Sequence, residues 1–274
     1  MNGPGSRVRA TVITAFTWLV VLLFFFPVFW MGLNAFKSET DAASSTPLLL
    51  FSPDLSSFQV VRDRGMMDYL LNSLLAAGGA TLVILLFALP AAYALSIRPI
   101  KKVQDPLFFF LSTRFLPIAA VTLPLYMILK TIGFLDNIWA LVLIYAAINL
   151  PIAVWMLRSF LMEIPLEIIE AAQIDGAGFV REFMRIVLPL ILPGLAAAGL
   201  IVFIFSWNEY FLATLLTSND ARTTPPFLGS FVDGRGQFLA VLSTAALIAA
   251  LPVIIAGWIA QKQLVRGLAM GAVK

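Results

Sequence analysis

The run Ile138–Leu157, "IWALVLIYAAINLPIAVWML", carries no charged residue. A helix rises about 1.5 Å per residue, so about 20 apolar residues are enough to cross a hydrocarbon core. The run has that length, and its interruptions are polar but uncharged. It reads as a membrane-crossing helix, and the rest of the chain is built alike. Of 274 residues, 61% are hydrophobic and only 12% charged, with a mean hydropathy of +0.95. A soluble domain has about 45–50% apolar and about 25% charged residues. Too little polar surface remains to solvate the one or two domains this length would allow.

Working outward from that run, six spans are expected: Val12–Leu33, Tyr69–Ile97, Leu107–Leu129, Ile138–Phe160, Ile191–Leu216 and Leu239–Gln261. Arg7 and Arg9 precede the first, but its apolar run is too long for a signal peptide. With the N-terminus inside, the inner segments hold eleven Lys and Arg (Arg98, Lys101, Arg158, Arg181, Arg185 and Lys274 among them), the outer six. The positive-inside rule then puts both termini in the cytoplasm. The first outer loop, 34–68, contains "SSTPLLLFSPDLSS", which is turn-rich and predicts little regular structure. Prolines recur within the spans, at 27, 90, 117, 124, 151 and 252. They read either as kinks for packing or as bends lining a path.

Several function classes are excluded or disfavoured. There is no Cys and no His, which removes disulfides, zinc proteases and Ser–His chemistry. A net charge of +3, with no basic stretch interleaved with aromatics, is no nucleic-acid footprint. The sequence has no G-x-x-x-x-G-K-[ST] phosphate loop, so ATP would have to be bound elsewhere. A secondary transporter would need a visible repeat and intramembrane ionisable groups. Away from the span ends, where Arg158 lies, the candidates are Arg114 and Glu209. Arg114 facing lipid would cost about 2.5–3.5 kcal/mol, so it either snorkels or faces the bundle interior. Arg114, Ile118, Val121 and Leu125 share one helical face, a polar head over an apolar stripe. With Asn208 and Glu209, Arg114 is a candidate for lining a path.

Between the fourth and fifth spans lies "EIPLEIIEAAQIDGAGFVREFMRIVLPLILPG". Pro165 suits a first helical turn, and Glu167 would sit near the positive end of the dipole. Glu163, Glu167 and Glu170 fall on one face. Gly176 can take the left-handed conformation that ends a helix. A second helix is expected near Phe179, with Phe179, Phe183 and Val187 on one face and Arg181 and Arg185 on another. An interfacial helix pair is one reading, although such pairs usually have a basic face. An acidic knob that docks into a basic cleft is the other.

The same stretch resembles the EAA motif of permease subunits of ABC importers: Glu170-Ala171-Ala172, Asp175-Gly176-Ala177 and Ile186-Val187-Leu188-Pro189. "NAFKSETD", "LLNSLL", "FIFSWNEYFLA" and "LVRGLAMGAVK" are similar to the carbohydrate-importing branch, so the resemblance covers nearly the whole chain. It implies an all-α polytopic protein with the six-helix type I importer permease fold. The implied organisation is a cytoplasmic stretch 1–11, a first transmembrane helix 12–33, an external loop 34–68, a permease core 69–262 containing the coupling loop 161–190, and a cytoplasmic tail 263–274. Glu170, Ala171, Ala172, Asp175, Gly176 and Ala177 would form the ATPase-coupling element. The implied partners are a second homologous permease, two copies of an ABC ATPase and an external solute-binding protein. The ATPases would hold ATP and Mg, and this chain no cofactor or metal. The implied setting is a bacterial inner membrane, and the cargo a sugar, sugar derivative or polyol.

Overall fold

The computed structural model describes residues 4–97, 102–115, 117–232 and 238–272, with the side chains of 4–8 and 264–272 excepted. The described residues are helical or irregular, without strands. In order the helices are α1 (Pro4–Asn34), α2 (Glu39–Ala42), α3 (Ser56–Asp63), α4 (Met66–Ala94), α5 (Gln104–Arg114), α6 (Ile118–Thr131) and α7 (Ile138–Leu161). There follow α8 (Leu166–Ile174), α9 (Phe179–Glu182), a π-helical turn (Phe183–Val187), α10 (Leu188–Trp207), α11 (Phe211–Leu216), α12 (Thr224–Gly229) and α13 (Leu239–Ala272). Of the expected basic topology markers, Arg98, Lys101, Arg235 and Lys274 lie outside the described residues.

Among the described residues, five helical stretches are long and apolar enough to cross a membrane: Arg9–Asn34, Met66–Ala94, Ile138–Leu161, Phe179–Trp207 and Leu239–Gln263. With no water in the bilayer core, only internally bonded backbone is tolerated, and long helices satisfy it. The third expected span is not one helix. It is α5 and α6, inclined at 85° to each other. Pro117 is extended (φ −60°, ψ 120°) and opens α6. It has no N–H to continue α5, and proline disfavours helix at the residue before it. The fifth span also differs from Ile191–Leu216. Its helical path starts at Phe179, runs through the π turn and stops at Trp207. The π turn ends two residues before Pro189, whose missing N–H would leave the Arg185 carbonyl without its helical donor; widening a turn is one way to absorb that. α13 continues well past Gln261, so the expected tail is helical in backbone as far as Ala272.

The chain divides into two compact units, residues 1–66 with 228–250, and 67–227 with 251–274. In the first, the segment after α1 is pinned by charged side chains. Lys37 is 1% exposed; its ammonium donates to Asn34 Oδ1 (2.9 Å) and lies 4.3 Å from the centre of the Trp30 ring. A desolvated cation over an aromatic face is stabilised by about 2 kcal/mol. The Glu39 carboxylate accepts from the amides of Ala240 (3.0 Å) and Val241 (2.9 Å), satisfying two of the free donors at the start of α13. Thr244 donates to the Ala35 carbonyl (3.1 Å). Residues 44–55 are irregular, as their turn-rich composition predicts.

In the second unit α7 is the central element, more than half of its apolar length being buried. Leu141, Tyr145, Val154 and Leu157 pack with Ala80, Ile84 and Ala88 of α4 and Ala198 and Val202 of α10. Small residues set these distances. A Cβ on Gly194 would lie 2.5 Å from Phe160 Cγ.

Asp136, in the connection from α6 to α7, has φ +51°, and its carboxylate gathers the next irregular segment. It accepts from the amides of Ser218 (3.0 Å), Asn219 (2.9 Å), Asp220 (3.1 Å) and Ala221 (3.0 Å), and from the Ser218 hydroxyl (2.8 Å). The Asn72 amide holds the same segment through the carbonyls of Asp220 (2.9 Å) and Arg222 (3.0 Å). Partial burial pushes the Asp136 pKa up, but the amides of Ser218, Asn219 and Ala221 outweigh it and hold the carboxyl well below the usual carboxylate range. A depressed pKa stabilises the fold above the unfolded value of about 3.9, and that contribution is lost as pH falls through the folded value. Asp136→Ala should therefore speed amide exchange at 218–221, with a cost of about 2–3 kcal/mol from lost charge-assisted bonds. Wild type should hold that protection down to about pH 4. Equal exchange in both proteins at pH 7 would rule the clip out.

Candidate functional site

The polar loop between α7 and α10 is built as two short helices around one turn. Pro165 precedes α8, and Glu167 lies in its first turn. Ile169 and Ala172 are buried, while Glu163, Glu167, Glu170 and Asp175 are exposed. The expected acidic face is therefore present. α8 ends in a Schellman turn: Gly176 donates to the Gln173 carbonyl (3.0 Å) and Ala177 to the Ala172 carbonyl (2.9 Å). Gly176 has φ +76°, the conformation that glycine alone takes without strain. α9 opens at Phe179, as its periodicity predicts.

Sequence reasoning missed two features of this loop. Ile174 is 85% exposed and Val180 70% exposed, so the carboxylates share the surface with large apolar side chains. Glu182 is fully buried. One of its oxygens accepts from the Tyr93 hydroxyl of α4, the other from the Gln173 amide of α8 (3.0 Å). Spacing carried no signal for this: Glu182 stands three residues from both Phe179 and Arg185, between the apolar and the basic face.

The second group of candidates surrounds a cavity of about 410 Å³, lined by Thr113, Arg114, Ile118, Val121, Leu125 and Ile148 among others. The residues expected to share one helical face thus line one cavity, although the helix breaks between Arg114 and Ile118. Arg114 is turned toward α7 and donates to the Ile148 carbonyl (3.0 Å) and Asn149 Oδ1 (3.5 Å). Asn149 is buried and donates to Ser206 Oγ (3.3 Å) and the Tyr145 carbonyl (3.1 Å). The Tyr145 hydroxyl reaches Glu209 Oε2 (3.3 Å). Glu209 caps α11, accepting from the amides of Leu212 and Ala213 at 3.0 Å each. That cap explains why the fifth span ends at Trp207 and restarts at Phe211. Arg114 and Glu209 therefore belong to one polar chain, linked by Asn149 and Tyr145, which sequence reasoning did not single out. Asn208 stands apart: it is exposed, and its amide donates back to the Ile204 carbonyl (2.8 Å).

Residues 84–269 match the family described as binding-protein-dependent transport system inner membrane component. A probable ABC transporter permease protein of Sinorhizobium fredii, y4oR, is 33% identical over 100% of this chain and 99% of its own length. A trehalose/maltose transport system permease protein of Thermococcus litoralis is 31% identical, covering 93% of this chain and 94% of its own. A sulfoquinovosyl glycerol transport system permease protein of Agrobacterium fabrum is also 31% identical, over 91% and 88%. A crystal structure of a bacterial ABC transporter involved in importing the acidic polysaccharide alginate shares the fold. Its TM-score is 0.76 at 21% identity, covering 96% of this chain and 99% of that one. With the match spanning well over half its length, this multi-pass helical chain belongs to the family of binding-protein-dependent transport system inner membrane components.

Proposed function

We propose that this chain is one of two permease subunits of an ATP-driven importer and forms half of the path for a sugar, sugar derivative or polyol. An external binding protein delivers the cargo. Two ABC ATPase subunits, which hold ATP and Mg, drive the cycle from the cytoplasm. The observation that carries this reading is the α8–α9 loop. It projects carboxylates and bare apolar side chains together, on a turn fixed by Gly176 and anchored by a buried Glu182. Ile174, Phe179 and Val180 are all exposed, and bare apolar side chains grouped on one loop suit a surface that a partner covers. A cleft with basic residues and an apolar floor would satisfy Glu170, Asp175 and Ile174 together.

In this mechanism the chain does no chemistry of its own. ATP binding and hydrolysis change the clefts that grip Glu170 to Ala177, and the loop passes that displacement into the spans. Arg114 presents donors to the cavity. The hydroxyl-rich cargoes named for the relatives fit a cavity with a few polar groups over an apolar stripe. The carbohydrate class rests on those relatives. The loop lies in the cytoplasm of a bacterial inner membrane, with the termini on the same side.

The test is reconstitution of the whole complex in vesicles with ATP trapped on the ATPase side. Uptake of a labelled sugar should need both ATP and the binding protein. Uptake driven by an ion gradient without ATP would instead make the chain a secondary transporter. Since the chain has no cysteine, Ser45→Cys should react with an impermeant thiol reagent from the binding-protein side, and Ile174→Cys, once the ATPases are stripped away, only from the side they occupied. Reaction of Ile174→Cys from outside would reverse the orientation.

A further inference from the structure

Glu182 is not part of the docking surface, since it is fully buried, yet it joins three separate elements. Its backbone ends α9, one oxygen holds Tyr93 of α4, and the other holds Gln173 of α8. The same tyrosine ring meets Phe179 and Phe183 edge-on, with centroids 5.7 and 5.3 Å away. We propose that Tyr93, Glu182 and Gln173 form a latch that makes the coupling loop and the inner end of α4 move as one body. Glu182 is then a positioning residue for coupling. This rests on the importer reading above and adds the route by which the loop's movement enters the membrane helices.

The argument is one of relative stiffness. A buried carboxylate bonded on both oxygens is held firmly, because breaking either bond costs more in a low dielectric than in water. The routes leading away from the latch are weaker. On the α10 side the next residues are the π turn, followed by Pro189. In α4, Pro90 stands three residues before Tyr93 and removes one backbone bond there. Pro90 also borders a cavity of about 210 Å³ with Tyr93, Phe179 and Phe183, which leaves room for the bend. A push on α8 therefore shifts Gln173, Glu182 and Tyr93 together, and α4 pivots at Pro90. The π turn spares α10 the same displacement.

The test uses the complete reconstituted complex and two graded changes. Tyr93→Phe removes one oxygen and keeps both ring contacts. Glu182→Gln keeps an acceptor for the Tyr93 hydroxyl, whereas Glu182→Leu keeps none. Both Tyr93→Phe and Glu182→Leu should retain the ATPase on co-purification but transport less substrate per ATP hydrolysed, by about fivefold or more, the size of an ordinary coupling energy. Glu182→Gln should recover part of that loss. Adding Tyr93→Phe to Glu182→Leu should lower the ratio no further, since both break the same link. If Tyr93→Phe leaves transport per ATP unchanged with the ATPase docked, the latch is wrong even if Glu182→Leu fails to fold. If thermal stability falls while the ratio holds, the cluster is only structural. If the wild-type chain retains no ATPase at all, the importer reading itself fails.

Discussion

Gly176→Val should give a protein that inserts normally and transports almost nothing. A Cβ at this position would meet no atom within 4 Å, so a clash is not the cause. The cause is the backbone, which holds φ +76°. That region costs an ordinary L-residue about 1–2 kcal/mol, and a β-branched one more. The loop relieves the strain by leaving it, and both Schellman bonds open as it does. α8 and α9 then lose their fixed angle, and the carboxylates and Ile174 no longer meet one cleft together. Because each 1.4 kcal/mol is tenfold in affinity, ATPase retention and transport should fall by about tenfold or more. Gly176→Asn should be mildest and Gly176→Ala intermediate. Gly178→Ala is the control, since Gly178 has φ −70° and open space around its Cβ position. Full transport by a well-expressed Gly176→Val protein would mean that the turn is not the joint.

Arg114→Lys should express fully and still lose about tenfold or more of transport, with ATPase docking intact. Lysine keeps the charge and can still snorkel, but Nη1 alone bonds the Ile148 carbonyl and Asn149, and lysine has no further nitrogen to present donors to the cavity as the rest of the guanidinium does. Arg114→Leu should transport no better. Asn149→Ala should share part of the loss, because Asn149 links Arg114 to Ser206. The readout is uptake at several substrate concentrations, with protein level measured alongside. If Arg114→Lys transports normally and Arg114→Leu merely expresses less, the side chain only snorkels. A greater loss for acidic than for neutral sugars would point to an anionic substituent on the cargo.

The sequence was most readable where one local property sufficed. Run length located the apolar helices, and the "QIDGAGF" break located the loop, its left-handed glycine and the start of α9. It was least readable where an element's limit is set by a distant or opposing group. The interruption after Trp207 depends on the Glu209 carboxylate bonding two amides of the following helix. In hydropathy alone, α10 and α11 read as one span. The break at Pro117 resembles the tolerated prolines at 124 and 151 until the inclination of α5 against α6 is known. Glu182 looks solvent-facing in "FVREFMR". Its burial depends on Tyr93, 89 residues earlier.

The cap of Glu39 on α13 spans 201 residues of sequence. That separation sets a clock on biogenesis. At about 5–20 residues per second, the amides of Ala240 and Val241 are made roughly 10–40 s after the carboxylate that will hold them. Throughout that interval the first unit is incomplete, and Glu39 and the Ala35 carbonyl await donors still to be synthesised. A nascent chain stalled or cut before Leu239 would keep those groups unpartnered.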